Sequence, residues 1–275
     1  MMDQLSGGAE DLSIGDRVVR VMTLNIWGYS HSWERRRRLI IDVIDAESPD
    51  IIGLQEVYSD PRFDEDGRNQ VQQIVRSLPK YNLVCSLHRH PPPRDIKPEE
   101  YPFIQTGLAI MSRHPIIESG HISLPYSVHV NPHPRMVLAS RIRSPLGKMC
   151  FFVTHLSTHE PDRPSEALML ADFIHGFSRS SPAVVVGDFN ETPDEPVVLF
   201  MKGKGEIHGH SLGFRDAWEE ANPSGEGYTH RGRRIDYIFV DPSIKVLDCR
   251  IVADKPDSEG YYPSDHYGVL ASITF

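Results

Sequence analysis

The feature that most limits what this chain can fold into is a set of short, strongly apolar runs, each meeting a polar or ionisable residue at or near its end. The clearest is AVVVGDFN at 183–190, where three valines lead straight into Asp188 and Asn190. VVRVMTLNIWGY (18–29), DIIGLQEV (50–57), KMCFFVTHL (148–156), RIDYIFV (234–240) and GVLASITF (268–275) share the design. Such runs suit buried strands; a membrane span needs about 20 apolar residues, and no stretch approaches that. Residues 106–116 and 136–144 read as further strands. Between them, WERRRRLIIDVIDAES is apolar at 33, 39, 40, 43 and 44, a helix spacing closed by Pro49. Residues 68–78 and 165–177 read as helices too. Strand and helix alternate early, while strands follow one another later. This predicts an α/β fold with mixed sheets and helices packed outside them.

A polar side chain inside an apolar run is costly unless something pairs with it. Here the pattern recurs: Asn25, Glu56, His155, Asp188, Asn190, Asp236, Asp265 and His266 each sit within or beside a strand pattern. Taken singly, each reads as a turn former or a satisfied core residue. Together they predict one shared site. Residues two apart on a strand face the same way, so Asp188 and Asn190 are expected to face one ligand, with Gly187 letting the backbone approach closely. The donors are oxygen and imidazole, with no thiol. Such a set suits Mg²⁺, with Mn²⁺ able to substitute, better than zinc or copper.

The ordered set MTLNIWG, IIGLQEV, FVTHL, VVVGDFN, RRIDYIFV and SDHYGVL resembles the endonuclease/exonuclease/phosphatase superfamily, over about residues 18–274. That resemblance implies a DNase I-like sandwich of two packed mixed β-sheets flanked by α-helices. It implies a Mg²⁺-dependent phosphoesterase in which Asn25, Glu56 and Asp265 form the metal region. Asp188 would activate the attacking water and Asn190 would fix that water or the phosphate. His155 and His266 would contact the phosphate, with Asp236 orienting His266. Every expected position is filled, which argues against an inactive binding module of the same fold.

Composition narrows the partners. The net charge of −9 disfavours a broad basic face for long nucleic acid, and no obvious apolar loop or anchor marks a membrane-lipid enzyme, so a small-molecule or short-oligonucleotide phosphoester is slightly favoured over DNA, RNA or a sphingomyelinase-like phospholipid substrate. Three cysteines without a C-x-x-C make a disulfide framework or structural zinc site unexpected. Residues 1–15 lack a signal-peptide core and read as a flexible segment ahead of one domain, 16–275, in a cytoplasmic protein with no protein partner implied. Long irregular segments at 88–103, 123–135, 201–213 and 254–264 are expected to carry function. From these and their neighbourhood come three candidate substrate contacts: Arg135 for an anion, His159 at the pocket mouth, and Tyr262 for stacking. The run Arg35–Arg38 reads as a solvated first helix turn.

Overall fold

The structure, a computed structural model, describes residues 18–92, 95–127, 130 and 133–275. The segment 1–15, expected to be flexible, lies outside the described residues. In chain order the strands are β1 (Val19–Asn25), β2 (Ile51–Ser59), β3 (Asn82–Arg89), β4 (Gln105–Ser112), β5 (Ile116–Leu124), β6 (Arg135–Ser144), β7 (Gly147–His155), β8 (Ala183–Asp188), β9 (Arg215–Asp216), β10 (Asp236–Val240), β11 (Lys245–Val252) and β12 (Gly268–Thr274). The helices are α1 (Trp33–Glu47), α2 (Gln70–Ser77), α3 (Arg163–Ser178), α4 (Pro196–Met201) and α5 (Ala217–Ala221).

Two six-stranded sheets form, ordered β11-β12-β1-β2-β4-β3 and β5-β6-β7-β8-β10-β9. Both are mixed. The pairs β1/β2 and β7/β8 are parallel and the others antiparallel. A parallel pair needs a crossover, and α1 and α3 supply the two crossovers. The sheets stack face to face over one apolar layer. Val19 and Val21 of β1, Phe151 and Val153 of β7, Val184 and Val186 of β8, and Ile238 and Val240 of β10 are among its members. The outer face of the first sheet is covered by Ile40 and Ile44 of α1 and Ile74 of α2. The outer face of the second is covered by Leu170 and Ile174 of α3 and Val197 and Val198 of α4. Both faces of the central strands are therefore buried, which is why they read as nearly continuous apolar runs. No helix among the described residues is long and apolar enough to cross a membrane, and the three cysteines are unpaired.

The structure corrects three sequence expectations. Strand β8 ends at Asp188, and Asn190 follows in a left-handed conformation at φ 53°, so strand alternation is not what brings the two together. Gly187 (φ 145°) admits a close approach, but by the neighbouring strand: a Cβ there would lie 2.0 Å from the Thr154 carbonyl oxygen. Finally, the run Arg35–Arg38 is only partly solvated, with Arg38 exposed. Arg36 is 2% exposed, Arg35 pairs with Asp257 and Glu259, and Arg37 pairs with Glu65.

Substituting Gly187→Ala should destabilise the fold by about 3 kcal/mol, because the added methyl must displace backbone and adopt a strained φ. Urea unfolding of the variant against the parent measures this.

Candidate active site

The site grows out of the shared apolar layer. Strands β7, β8 and β10 lie side by side, with His155 opposite Asp188 and Asp188 opposite Asp236. The residues two and four places further into each strand are core aliphatic or aromatic side chains: Val153 and Phe151 on β7, Val186 and Val184 on β8, Ile238 and Val240 on β10. His155, Asp188 and Asp236 are thus the end members of three inward-facing rows. Asn25 ends the equivalent row on β1.

Glu56 reaches the same place by another route. The β2/β4 register shifts between Leu54 and Val57, and Glu56 takes φ 54°. Ile52, Leu54 and Val57 all pack under α1 and α2. Without the bulge, Glu56 would follow Leu54 onto that helix-covered face; the extra residue turns it toward the cavity instead.

That cavity, of about 400 Å³, is lined by Glu56, Arg135, His155, Asp188, Asn190, Asp265 and His266, with Trp27, Tyr58, His133, Thr158, His230 and Arg231. Asp188 is its centre. Its Oδ2 lies 3.2 Å from Asn25 Nδ2, 3.4 Å from His155 Nε2 and 3.8 Å from His266 Nε2. Its Oδ1 accepts the Asn190 backbone N–H at 2.9 Å. Burial, then repulsion from Asp236, pushes the Asp188 pKa up to about 7, against the pull of His266 and the Asn190 and Asn25 donors.

The two histidines are driven apart. Burial alone would lower the His266 pKa. The Asp236 carboxylate, 2.9 Å from Nδ1, outweighs it with help from Asp188 and Asp265, and raises it to about 10. His155 is held well below its ordinary value by burial, with Arg135, His266 and His133 adding to the effect. One imidazole is therefore charged and the other neutral, so the 3.4 Å contact of His155 with Asp188 is not an ion pair.

Asn25 bridges two acids. Its amide donates to Glu56 Oε1 at 3.1 Å and to Asp188 Oδ2 at 3.2 Å. Its oxygen accepts the Trp27 N–H at 3.0 Å, which fixes the orientation of the amide. Asn25 was expected among the metal ligands; it turns nitrogen rather than oxygen toward the acids. The remaining donors fit a divalent ion. Glu56 and Asp265 face one cavity, and burial and mutual repulsion raise the Glu56 pKa, a penalty that a hard cation would relieve. His230, Asp265 and His266 have ligand atoms within 4.8 Å of one another.

Arg135 is buried in the cavity wall, and its Nε has no hydrogen-bond partner among the described residues. Asn190 donates its amide to the Leu156 carbonyl at 2.9 Å. The other two expected contacts are not brought in. His159 lies 3.3 Å from Asp162, and Tyr262 sits near Tyr267, with ring centroids 6.0 Å apart; neither lines the cavity. The sequence reading missed His230, which stacks on His266 at 4.3 Å and 10°. It lies in a segment with no strand pattern to mark it, as does His133.

A helix-flanked double sheet with its polar cluster at converging strand ends is the DNase I-like arrangement. The chain belongs to the Endonuclease/Exonuclease/phosphatase family, whose profile matches residues 22–266. It is 24% identical to rat nocturnin over 266 residues, covering 88% of this chain and 59% of that protein; the chain thus spans less than two thirds of that relative. The human nocturnin catalytic domain with bound sulfate anion superposes with a TM-score of 0.70 at 24% identity, covering 94% of each chain. A mannosyl-6-phosphatase of Bacteroides thetaiotaomicron gives 0.70 at 20% identity, covering 94% of this chain and 100% of that one. At these identities the structural likeness speaks for the fold alone.

Two outcomes are expected from these electrostatics. In Asp236→Asn, the His266 pKa should fall by at least about one unit, measured by NMR titration of the imidazole. Glu166 of α3, which accepts the Ser157 N–H at 2.8 Å, is pushed from 4.5 to about 7 by burial. A carboxyl with a raised folded pKa gives stability that is complete below pH 4.5 and is lost as pH rises through 7. The stability difference between the parent and Glu166→Gln should therefore move by about 3 kcal/mol in favour of the variant between those limits, read by denaturant unfolding at pH 4.5 and 8.

Proposed function

We propose that this chain is a divalent-metal-dependent hydrolase of phosphoester bonds that acts on a small-molecule or short-oligonucleotide substrate. The observation that carries this reading is the Asp188 carboxylate. It is poised near neutrality, its Oδ2 is within 3.8 Å of Asn25, His155 and His266, and it opens on a cavity that also holds Glu56, Asp265 and Arg135.

The roles follow from charge and reach. Asp188 accepts the proton of the attacking water, a task suited to a carboxyl with a pKa near 7. His266, kept protonated by Asp236, donates Nε2–H toward a phosphoryl oxygen and meets the charge that grows there. Neutral His155 adds a hydrogen bond without a second buried cation. Asn25 keeps the Asp188 and Glu56 carboxylates in fixed relation, and Arg135 offers the substrate anion an Nε–H that has no partner among the described residues. Asn190 holds Asp188 through its backbone and the β7 end through its amide. A divalent cation, Mg²⁺ or Mn²⁺, held by Glu56 and Asp265 would supply charge relief on the phosphate.

Two further facts favour a small substrate. A second cavity of about 360 Å³ adjoins the first through Ser30, Glu56 and Tyr58, and Tyr29, Phe63, His90 and Tyr101 line it. A pair of cavities this size suits a compact phosphoester with one further group. The net charge of −9 offers little to a long polyanion. The sulfate in the human nocturnin catalytic domain and the substrate class in the name of the Bacteroides phosphatase are consistent with this reading.

The test is release of phosphate from a sugar phosphate and a mononucleotide, of nitrophenol from a nitrophenyl phosphodiester, of phosphocholine from a choline phospholipid, and of shortened strands or nucleotides from single- and double-stranded DNA. Turnover should need Mg²⁺ or Mn²⁺, stop with EDTA, and fall about 10²- to 10⁴-fold in Asp188→Asn. Preference for long DNA would overturn the small-substrate part. Metal binding without turnover on any substrate would favour a binding module.

A further inference from the structure

We propose that Arg36 is a positioning residue that sets the spacing between the two walls of the metal region. This rests on the phosphoesterase reading of the pocket. A guanidinium has five N–H donors and no acceptor. In Arg36 each meets a backbone carbonyl: Nε donates to Ser30 at 3.0 Å, Nη1 to Ile26 at 2.7 Å and Pro263 at 3.2 Å, and Nη2 to Gly28 at 2.6 Å and Trp27 at 3.3 Å.

Four of those carbonyls belong to the turn that leaves β1 just after Asn25. Trp27 and Gly28 are both left-handed there, at φ 57° and 47°, so the turn is held in a conformation that an ordinary residue at position 27 resists. Trp27 and Ser30 line the cavity. The fifth carbonyl, from Pro263, stands immediately before Ser264, whose hydroxyl donates to the Asn25 carbonyl at 2.7 Å, and before Asp265 and His266. One side chain therefore ties the segment carrying Asn25 to the segment carrying Asp265 and His266, from behind and out of contact with solvent.

The charge has a use as well as the fork. No carboxylate pairs with Arg36 among the described residues, and burial draws its pKa down to about 10. The acids that act in the opposite direction are Asp265 and Glu56, two of the three carboxylates that face the cavity. A buried cation behind them offsets their mutual repulsion while the geometry stays fixed. A residue filling only core volume would need neither five carbonyls nor a charge.

Arg36→Lys separates the two contributions, because it keeps the charge but has three donors on a flexible stem. The folded variant is compared with the parent by Mn²⁺ titration (electron paramagnetic resonance of free Mn²⁺), by kcat and KM at saturating Mn²⁺, and by amide hydrogen exchange. Expected are at least about tenfold weaker Mn²⁺ binding, and kcat at least about tenfold lower with KM changed less than about threefold. Exchange should quicken in both 26–30 and 263–266. Unchanged Mn²⁺ affinity and kcat in a folded variant would overturn the proposal. Should the parent itself bind no Mn²⁺ and cleave no phosphoester, the reading of the pocket fails. Exchange alone then decides Arg36: faster in both segments supports the positioning role, and faster in one or neither overturns it. If Arg36→Lys does not fold, Arg36→Gln replaces it with the same readouts. Loss of the whole fold in both variants makes Arg36 a core element and overturns the proposal.

Discussion

Asp188 and Asp236 face each other across neighbouring strands at the buried end of the sandwich, and a single imidazole makes that arrangement tolerable. Two carboxylates in register would repel strongly away from water. His266 stands between them, Nδ1 on Asp236 and Nε2 toward Asp188. Its positive charge faces both acids, and much of the site follows from it. Asp236 keeps His266 charged, the charge keeps Asp188 from being wholly neutral, and a second cation in the same space is resisted, so His155 stays neutral. The site is one coupled electrostatic object whose parts come from four separated pieces of chain.

The central strands were legible in the sequence because both of their faces are buried and each position had to be apolar. The four strands that escaped notice, β3, β5, β9 and β11, are the four sheet edges. Edge strands meet solvent on one side; β3 buries only Ser86 and β5 only Leu124. Their alternation is diluted, and a short apolar pattern no longer marks them. The helices α4 and α5, at six and five residues, are too short to show a 3.6-residue period.

The site divides in the same way. Asn25, His155, Asp188 and Asp236 stood out because each interrupts an apolar row at its end, and the structure brings them together there. Glu56 stood out too, although it gets there by a bulge that no periodicity announces. Features set by backbone conformation or by distant packing left no trace: the left-handed Asn190, the inward face of Arg36 within a run of four arginines, and the ring of His230 lying on His266. His159 was suggested by its spacing from His155 and Tyr262 by local composition, and neither signal fixes where a loop side chain points.

Strand β12 is inserted between β11 and β1, so the last strand of the chain closes the sheet that the first one opens. During synthesis β1 therefore waits with one edge unpaired until the other strands and helices among the described residues have emerged. His266 and Asp265 lie directly ahead of β12 and arrive with it. The fold completes its polar cluster and covers the β1 edge in a single late event, so a nascent or locally frayed chain lacks Asp265 and His266 in place and offers an open edge to the wrong strand.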